Sequence, residues 1–151
     1  MHTRHDGRVT PGCAARGWTL TEMLIVLAIL GILSTLAIPS YQQQQRKVRR
    51  GDARAALQQL QFDQARHRSL QSSFASTTTE LGWSSDQSPQ GHYRVRIVEA
   101  SAHGYVAEAM PAGTQQADVG CTPMRLRWQQ TATVVYSSGS DPDSDRAQCW
   151  P

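Results

Sequence analysis

The sequence has few aromatic residues, a single lysine and no motif of a known catalytic apparatus. Aromatic residues make up 7% of the 151 positions, and Lys47 is the one lysine among 15 basic residues. The chain contains no glycine-rich phosphate loop, no CxxC pair, no G-x-S-x-G motif and no carboxylate pair that suggests acid–base catalysis. His67, His92 and His103 lack the spacing of metal ligands. We therefore expect neither an enzyme nor a protein that carries a metal or another cofactor.

One long hydrophobic run stands near the start of an otherwise polar chain. Residues 18–38 read WTLTEMLIVLAILGILSTLAI and carry a single charge, on Glu22. As a helix this run spans about 31 Å, which matches the hydrocarbon core of a bilayer. A cleaved secretory signal has a shorter apolar run and then a cleavage site between small residues, and no such site follows Ile38. The run is therefore predicted to be a transmembrane segment that stays in the mature protein.

The charges beside this segment leave its orientation open, and the cysteines favour an oxidising compartment for the rest of the chain. Basic residues flank the segment on both sides, so the positive-inside rule does not decide between the two orientations. In an oxidising compartment, Cys121 and Cys149 would form a disulfide that closes a loop of about 29 residues. Cys13 is then left without a cysteine partner, and removal of the N-terminal leader would eliminate it from the mature protein. A lipoprotein site at Cys13 is disfavoured because no apolar run precedes it.

The segment that begins at Gly17 resembles the N-terminal signature of type IV pilins and the related pseudopilins. The residues that carry the resemblance are GWTLTE followed by MLIVLAILGILSTLAIPSYQ, with Gly17, Glu22, Gly31 and Pro39 where that family places them. The resemblance implies that residues 1–17 are a cytoplasmic leader, that a prepilin peptidase cuts after Gly17, and that the new N-terminus at Trp18 is methylated. The chain differs from the usual family pattern at two positions: Trp18 stands where the family usually has Phe, and Thr21 stands where an aliphatic residue is common. The first residue after the cleavage site is still apolar.

Glu22, Gly31 and Pro39 are the residues that we expect to act in assembly. A carboxylate inside a membrane segment costs about 2.5–3.5 kcal/mol, so Glu22 needs a partner, for which the natural choice is the N-terminal amine of an adjacent subunit. The alternative is that Glu22 snorkels to the membrane interface. Gly31 lowers helix propensity, and Pro39 either kinks or locally melts the helix or marks the membrane exit. By resemblance, this Gly-to-Pro region loosens when subunits pack into a filament.

The remainder, residues 39–151, is predicted to be a head domain of the α+β class. Helix 39–70 has an apolar stripe with i, i+3, i+4, i+7 spacing. Residues 71–91 are rich in Ser and Thr and indicate a loop, and residues 92–151 form the sheet and the disulfide loop. The residues of the helical stripe are Ala53, Ala56, Leu57 and Leu60. The whole is pilin-like: a long N-terminal helix, transmembrane in its first half, packed on a roughly four-stranded antiparallel sheet with a C-terminal disulfide loop.

The alternation of apolar and polar residues predicts the positions of four strands. HYRVRIVEA and GYVAEAMP indicate a hairpin centred near Ala102, a third strand follows Cys121, and ATVVYS supplies a fourth at 132–137. One face of the sheet is expected on the helix and the other in water. The outward face then gathers arginines that either attract phosphate backbones or an acidic partner, or pair locally, with Glu108 opposite Arg96. These arginines are Arg94, Arg96, Arg125 and Arg127.

Two further charged stretches leave alternatives open. The basic run after the membrane segment either binds anionic lipid headgroups, or pairs with acidic residues of neighbours such as Asp52, or is an ordinary solvated face. This run consists of Arg46, Lys47, Arg49, Arg50 and Arg54. The every-other-residue carboxylates Asp141, Asp143 and Asp145 have a spacing that calcium favours, but the loop lacks the later ligands of a calcium motif, which favours a solvated turn.

The resemblance implies a non-enzymatic minor subunit of a type IV pilus, inserted in the inner membrane with its C-terminus in the periplasm and later part of a surface pilus. Its implied partners are other pilin subunits, a prepilin peptidase and methyltransferase, and an inner-membrane assembly platform. The implied processes are twitching motility, adhesion and DNA uptake, with DNA binding by this chain the lesser alternative. The competing interpretations are a pseudopilin of a type II secretion system and a membrane-anchored periplasmic binding module or enzyme that does not polymerise. The disulfide loop favours the pilus.

Overall fold

The structure, a computed structural model, describes residues 17–140 and 147–150. It contains one long α-helix and a four-stranded antiparallel sheet, joined by loops and short 3-10 helices. The helix and strands are α1 (Leu20–Leu70), β1 (Tyr93–Ala100), β2 (Gly104–Pro111), β3 (Met124–Gln129) and β4 (Ala132–Ser138). The 3-10 helices are Gly113–Ala117, Val119–Cys121 and Ala147–Cys149. The predicted fold class is confirmed, including the strand number and the disulfide between Cys121 and Cys149.

The chain divides into two compact units, with the boundary between Pro39 and Ser40. The described part of the first unit is the apolar beginning of α1, which is long and apolar enough to cross a membrane and has none of that surface buried in the structure. The second unit, which we call the head, contains the rest of α1 and the whole sheet. The predicted head domain begins at Pro39, one residue before this boundary.

The buried face of α1 within the head is the stripe that the sequence predicts. Ala53, Ala56, Leu57 and Leu60 are at most 1% exposed. They pack in one core with residues from the three strands β1, β2 and β3 and with Phe74. Truncating a buried leucine of such a core to alanine costs about 2–5 kcal/mol, so Leu57 and Leu60 hold the helix to the sheet. The core residues from the strands are Tyr93, Val95, Tyr105, Ala107, Ala109, Met124 and Leu126.

The four strands form a meander in which each strand pairs with the next along the chain. The β1–β2 pairing sets Arg96 opposite Glu108, and the turn between these strands spans residues 101–103, as the hairpin centred near Ala102 predicts. Gly104 opens β2 where its backbone approaches β3 closely, since a Cβ there would lie 2.5 Å from the Trp128 carbonyl oxygen. Strand β4 extends one residue past its predicted end, to Ser138.

The segment between α1 and β1 is irregular, as predicted, but it is fastened to the helix. The buried side-chain amide of Gln64 makes two hydrogen bonds to Ala75: it accepts from the backbone N–H and donates to the carbonyl, each at 2.9 Å. The indole Nε1 of Trp83 donates to the Asp63 carboxylate at 2.8 Å. Because these bonds fix both the start and the middle of the loop, its path follows the surface of the helix.

Candidate functional site

The start of α1 carries the predicted cleavage and methylation site. Gly17 and Trp18 precede the helix, and Trp18 is 72% exposed. Thr19 caps the helix: its Oγ1 accepts the backbone N–H of Glu22 at 3.2 Å. The order Thr-x-x-Glu is that of a capping box, and an acid in the first turn also suits the helix dipole. The position of Glu22 in the first turn therefore suits the start of the helix as well as the assembly role that the resemblance implies.

The surface of α1 before Pro39 is exposed and almost wholly apolar. Its large hydrophobic residues are 38–77% exposed, which is unusual for so many neighbouring side chains in a protein in water. The hydroxyls of Ser34 and Thr35 donate to the carbonyls of Leu30 and Ile32, each at 2.7 Å. Polar side chains that satisfy themselves on their own helix fit an apolar surrounding, because the helix then presents no unpaired hydroxyl to it.

Gly31 and Pro39 both lie inside the uninterrupted helix. A Cβ built on Gly31 meets no described atom within 4 Å, so steric crowding within the chain does not require glycine there. Pro39 lacks an N–H and leaves the carbonyl four residues earlier without its usual helical donor. The helix nevertheless continues through Pro39 to Leu70, so the local melting that was one expectation for this position is absent from the described helix.

A buried ion pair fixes the head next to its disulfide. Arg50 of α1 makes two hydrogen bonds, each 2.7 Å, from Nε and Nη2 to the two carboxylate oxygens of Asp118. Its third nitrogen, Nη1, donates to the carbonyl oxygen of Gln148 at 3.1 Å. The hydrogen bond to Asp118 raises the pKa of Arg50 despite the burial of the guanidinium. Arg50 therefore ties the helix to both ends of the disulfide loop.

The amide of Gln115 extends this network. Its Nε2 carries two hydrogens, which are shared among three acceptors: the Tyr93 hydroxyl at 2.9 Å, Asp118 at 3.1 Å and the carbonyl of Arg46 at 3.2 Å. Burial raises the pKa of Tyr93 to about 12, so its hydroxyl keeps its proton at any physiological pH. A buried network of this kind specifies one arrangement of its elements, because removing any member leaves the others without hydrogen-bond partners.

A second carboxylate, Asp52, organises the loop that leads into β1. Its two oxygens accept hydrogen bonds from the Ser88 hydroxyl at 2.6 Å and from the backbone N–H groups of Gln90 and His92 at 2.9 and 3.1 Å. Asp52 is 4% exposed. The acid that was one expected partner for the basic run is therefore satisfied by loop residues 88–92.

The outward arginines of the sheet are largely engaged in local ion pairs. Glu108 lies between Arg96, whose Nη2 is 2.7 Å away, and Arg125, whose Nε donates to the other carboxylate oxygen. Burial would raise the pKa of Glu108, but the hydrogen bonds from the two arginines outweigh it and hold this pKa below its usual range. Arg94 lies 3.5 Å from Asp86. The predicted pairing of Arg96 with Glu108 is confirmed, and it reduces the free positive charge available on this face.

The two sulfurs of the disulfide join the 3-10 helix that precedes β3 to the one near the C-terminus, with 5.5 Å between the Cα atoms of Cys121 and Cys149. Constraining a loop of this length is worth about 3–4 kcal/mol in the chain-entropy estimate. Trp150 packs beside it on Tyr136, with ring centroids 4.9 Å apart. Leader residues 1–16 with Cys13, and also Asp141, Asp143 and Asp145, lie outside the described residues. Within 17–140 and 147–150 no group of three metal-ligating side chains occurs.

Sequence reasoning missed the buried polar groups of the head. Asp118 and Gln115 stand in segments without periodicity, whereas Gln64 continues the helical stripe four residues after Leu60, where a polar residue does not suggest burial. Arg50 was grouped with the basic run, although it is buried and paired with Asp118, whereas Arg46, Lys47 and Arg49 are not buried. A charged residue that falls on the apolar stripe of a helix is the one signal that points to such a pair.

This architecture, an apolar N-terminal helix continuing into a helix on a four-stranded antiparallel meander with a C-terminal disulfide, is that of the type IV pilins. A family model for the prokaryotic N-terminal methylation motif matches residues 14–38. A second model, described as "Type IV minor pilin ComP, DNA uptake sequence receptor", matches residues 39–125. The chain belongs to this type IV pilin family, a family of structural proteins, which confirms the resemblance read from its N-terminal signature.

A curated relative supports the same assignment. The type IV major pilin protein PilA of Myxococcus xanthus (strain DK1622) is 32% identical to the chain over 80 residues. The alignment covers 53% of this chain and 36% of that protein. The chain therefore matches a little over a third of the length of this relative.

Proposed function

We propose that the protein is a minor structural subunit of a type IV pilus and has no enzymatic activity. It is inserted in the inner membrane with its head in the periplasm, cut after Gly17 by a prepilin peptidase, methylated on Trp18, and delivered by an inner-membrane assembly platform into a filament of pilin subunits. Surface display in such a filament would serve twitching motility or adhesion.

The observation that carries this proposal is the exposed apolar surface of α1 before Pro39, with Glu22 at its start. That surface needs lipid around it, and it needs other apolar helices once the subunit leaves the membrane. When helices pack side by side, a carboxylate in their midst needs a cation, and cleavage before Trp18 creates an amine four residues away from Glu22 along the chain. The exposed backbone at Gly17 is open to a peptidase.

The cleavage step is tested by replacing Gly17 with leucine. Since a Cβ at Gly17 meets no described atom within 4 Å, the substitution changes the cleavage site without disturbing a packed contact. We expect an uncut precursor that remains in the membrane and is missing from sheared filaments. Gly51→Leu, on the exposed surface of the same helix, is the control that should be cut normally. Normal cutting of the Gly17→Leu chain contradicts the proposed site.

Two competing assignments make different predictions about the filament. A pseudopilin of a type II secretion system would require the secretion genes for its assembly, and a membrane-anchored binding module would enter no filament at all. Immunogold electron microscopy of surface filaments, in strains lacking either the pilus or the secretion assembly platform, separates the three. Labelled filaments that persist without the secretion platform and vanish without the pilus platform are the expected result.

DNA binding by the head is a second candidate function. It is supported by the matching family model, whose description names a DNA uptake sequence receptor, and by the net charge of +3. Arg94 and Arg96 are the phosphate contacts of this proposal: each lies beside an acid, but their side chains are 62% and 63% exposed, whereas the side chain of Arg125 is 16% exposed. Affinity for duplex DNA should fall with salt, and Arg94→Gln with Arg96→Gln should reduce the slope of that dependence by about two. An unchanged slope rules out these contacts.

A further inference from the structure

The first charged residues after the membrane segment are basic and outnumber the acids near them. The sequence contains no acidic residue between Glu22 and Asp52. Of the basic residues in this interval, Arg50 is buried in its pair with Asp118. The remaining three, Arg46, Lys47 and Arg49, we call the basic collar. At about 100° per residue these three positions span about 160° of the helix circumference, so together they form a basic patch over nearly half of it.

The contacts of the basic collar are with neutral groups. Arg49 donates from Nη1 to the Thr114 hydroxyl at 2.7 Å. The backbone carbonyl of Arg46 accepts from Gln115. Arg46 is half-buried and Lys47 is exposed. Among the ion pairs that the structure gives for residues 17–140 and 147–150, none includes a member of the collar.

The acids nearest to the collar are already used inside the head. Asp118 is bound by two nitrogens of Arg50, and the oxygens of Asp52 accept three hydrogen bonds from loop residues 88–92. Both carboxylates are buried, at 6% and 4% exposure. The positive charge of the collar is therefore left for a partner outside the described chain.

Chain length places the collar close to the membrane surface. Arg46 follows Pro39 by seven residues, which span about 10 Å as a helix and at most about 25 Å when fully extended. The reach of an exposed charge in salt solution is about 8–10 Å, so a helical connection puts the collar within range of the headgroups. The phosphates of the bilayer are therefore the anions that the collar meets first.

We propose that the basic collar binds the phosphodiester headgroups of anionic lipids in the leaflet that faces the head. The inference rests on the proposed membrane insertion and deepens it by naming the lipid class that surrounds the subunit before assembly. Arginine and lysine bind such phosphates through charge-assisted hydrogen bonds. Anionic lipid then holds the head against the membrane and must be released when the subunit enters a filament.

The test compares lipid selectivity at the surface of the full-length protein. The chain is reconstituted in phosphatidylcholine bilayers, and electron paramagnetic resonance of spin-labelled lipids gives the association constant of phosphatidylglycerol relative to phosphatidylcholine. The variant carries Arg46→Gln, Lys47→Gln and Arg49→Gln. The control carries Arg66→Gln, Arg68→Gln and Arg94→Gln, which removes the same charge from the head far from the collar in sequence.

The wild type and the control should both prefer phosphatidylglycerol, and the collar variant should lose that preference on the order of tenfold. A collar with three glutamates should reverse it, and 0.5 M salt should weaken it. A collar variant that keeps the wild-type preference overturns the proposal, as does an equal loss in the control. Failure of the wild type to insert, seen as alkaline extraction, refutes the membrane function itself.

Discussion

The two units of the chain use charge in opposite ways. In residues 17–39, the described part of the apolar unit, one carboxylate, Glu22, stands on a helix whose large hydrophobic residues are exposed. In the head, buried carboxylates at Asp52, Glu108 and Asp118 are each surrounded by hydrogen-bond donors. A charge with its partner inside the same chain stabilises a fold, whereas a charge without one requires a partner from another molecule. The head therefore neutralises its buried carboxylates within its own fold, whereas the apolar unit needs another molecule to neutralise Glu22.

The largest effect is expected from removing the isolated acid. Glu22→Val should leave membrane insertion intact but reduce incorporation into filaments by about tenfold or more, because an N-terminal amine packed among apolar helices then has no counter-charge. The measurement is the amount of labelled subunit in sheared filaments relative to that in membranes. Glu22→Asp, which keeps the charge and the N-terminal acid of the helix, should retain much of the incorporation. If Glu22→Val is incorporated into filaments as well as the wild type, Glu22 does not need a partner from another subunit, and the contrast in the use of charge between the two units is wrong.

The next effect is expected in the head. Asp118→Ala should lower the free energy of unfolding by about 3–5 kcal/mol, because it leaves the buried guanidinium of Arg50 without its counter-charge and the amide of Gln115 with one acceptor fewer. Chemical denaturation of the oxidised protein measures this. Asp63→Ala is the matched control on the surface of α1 and should cost less, because only the exposed Gln59 and the indole of Trp83 lose a partner. Equal losses would show that burial of the pair has no special importance.

A third comparison uses two glycines on the same helix. Gly31→Ala and Gly51→Ala should each favour the helix by about 0.5–1 kcal/mol, and a Cβ at either position meets no described atom within 4 Å. If the helix loosens around Gly31 during assembly, Gly31→Ala should slow filament incorporation while Gly51→Ala should raise only the stability of the head. Incorporation rates and melting temperatures read out the two effects. Identical behaviour of the two variants contradicts a special role for Gly31.

The smallest effect is a dependence on pH. Because the pKa of Glu108 is lowered in the folded protein, the carboxylate contributes stability that is complete above its unfolded pKa of about 4.3 and is lost as the pH falls through the lowered value. Glu108→Gln should therefore be less stable than the wild type at pH 7 by about 1 kcal/mol, with the gap closing below about pH 4. Denaturation at several pH values measures the gap, and a gap that widens on acidification would contradict this sign.

The comparison also explains what the sequence predicts and what it leaves hidden. The apolar run, the stripe at Ala53 to Leu60 and the alternating strands follow from periodicity, because each repeats a single physical rule along the chain. The pairing of Arg96 with Glu108 follows from hairpin register. The partners of Arg50, Asp52 and Gln64 are separated from them by 68, 36 and 11 residues, and no local pattern encodes such contacts.

The central claim is that the apolar helix becomes a filament surface once the leader is removed. Mass spectrometry of the N-terminal peptide from sheared surface filaments tests it most directly. We predict a peptide that begins at Trp18 and carries a methyl group on its α-amine. A chain that keeps its leader, begins at Met1 and is found in membranes but never in filaments would contradict the claim.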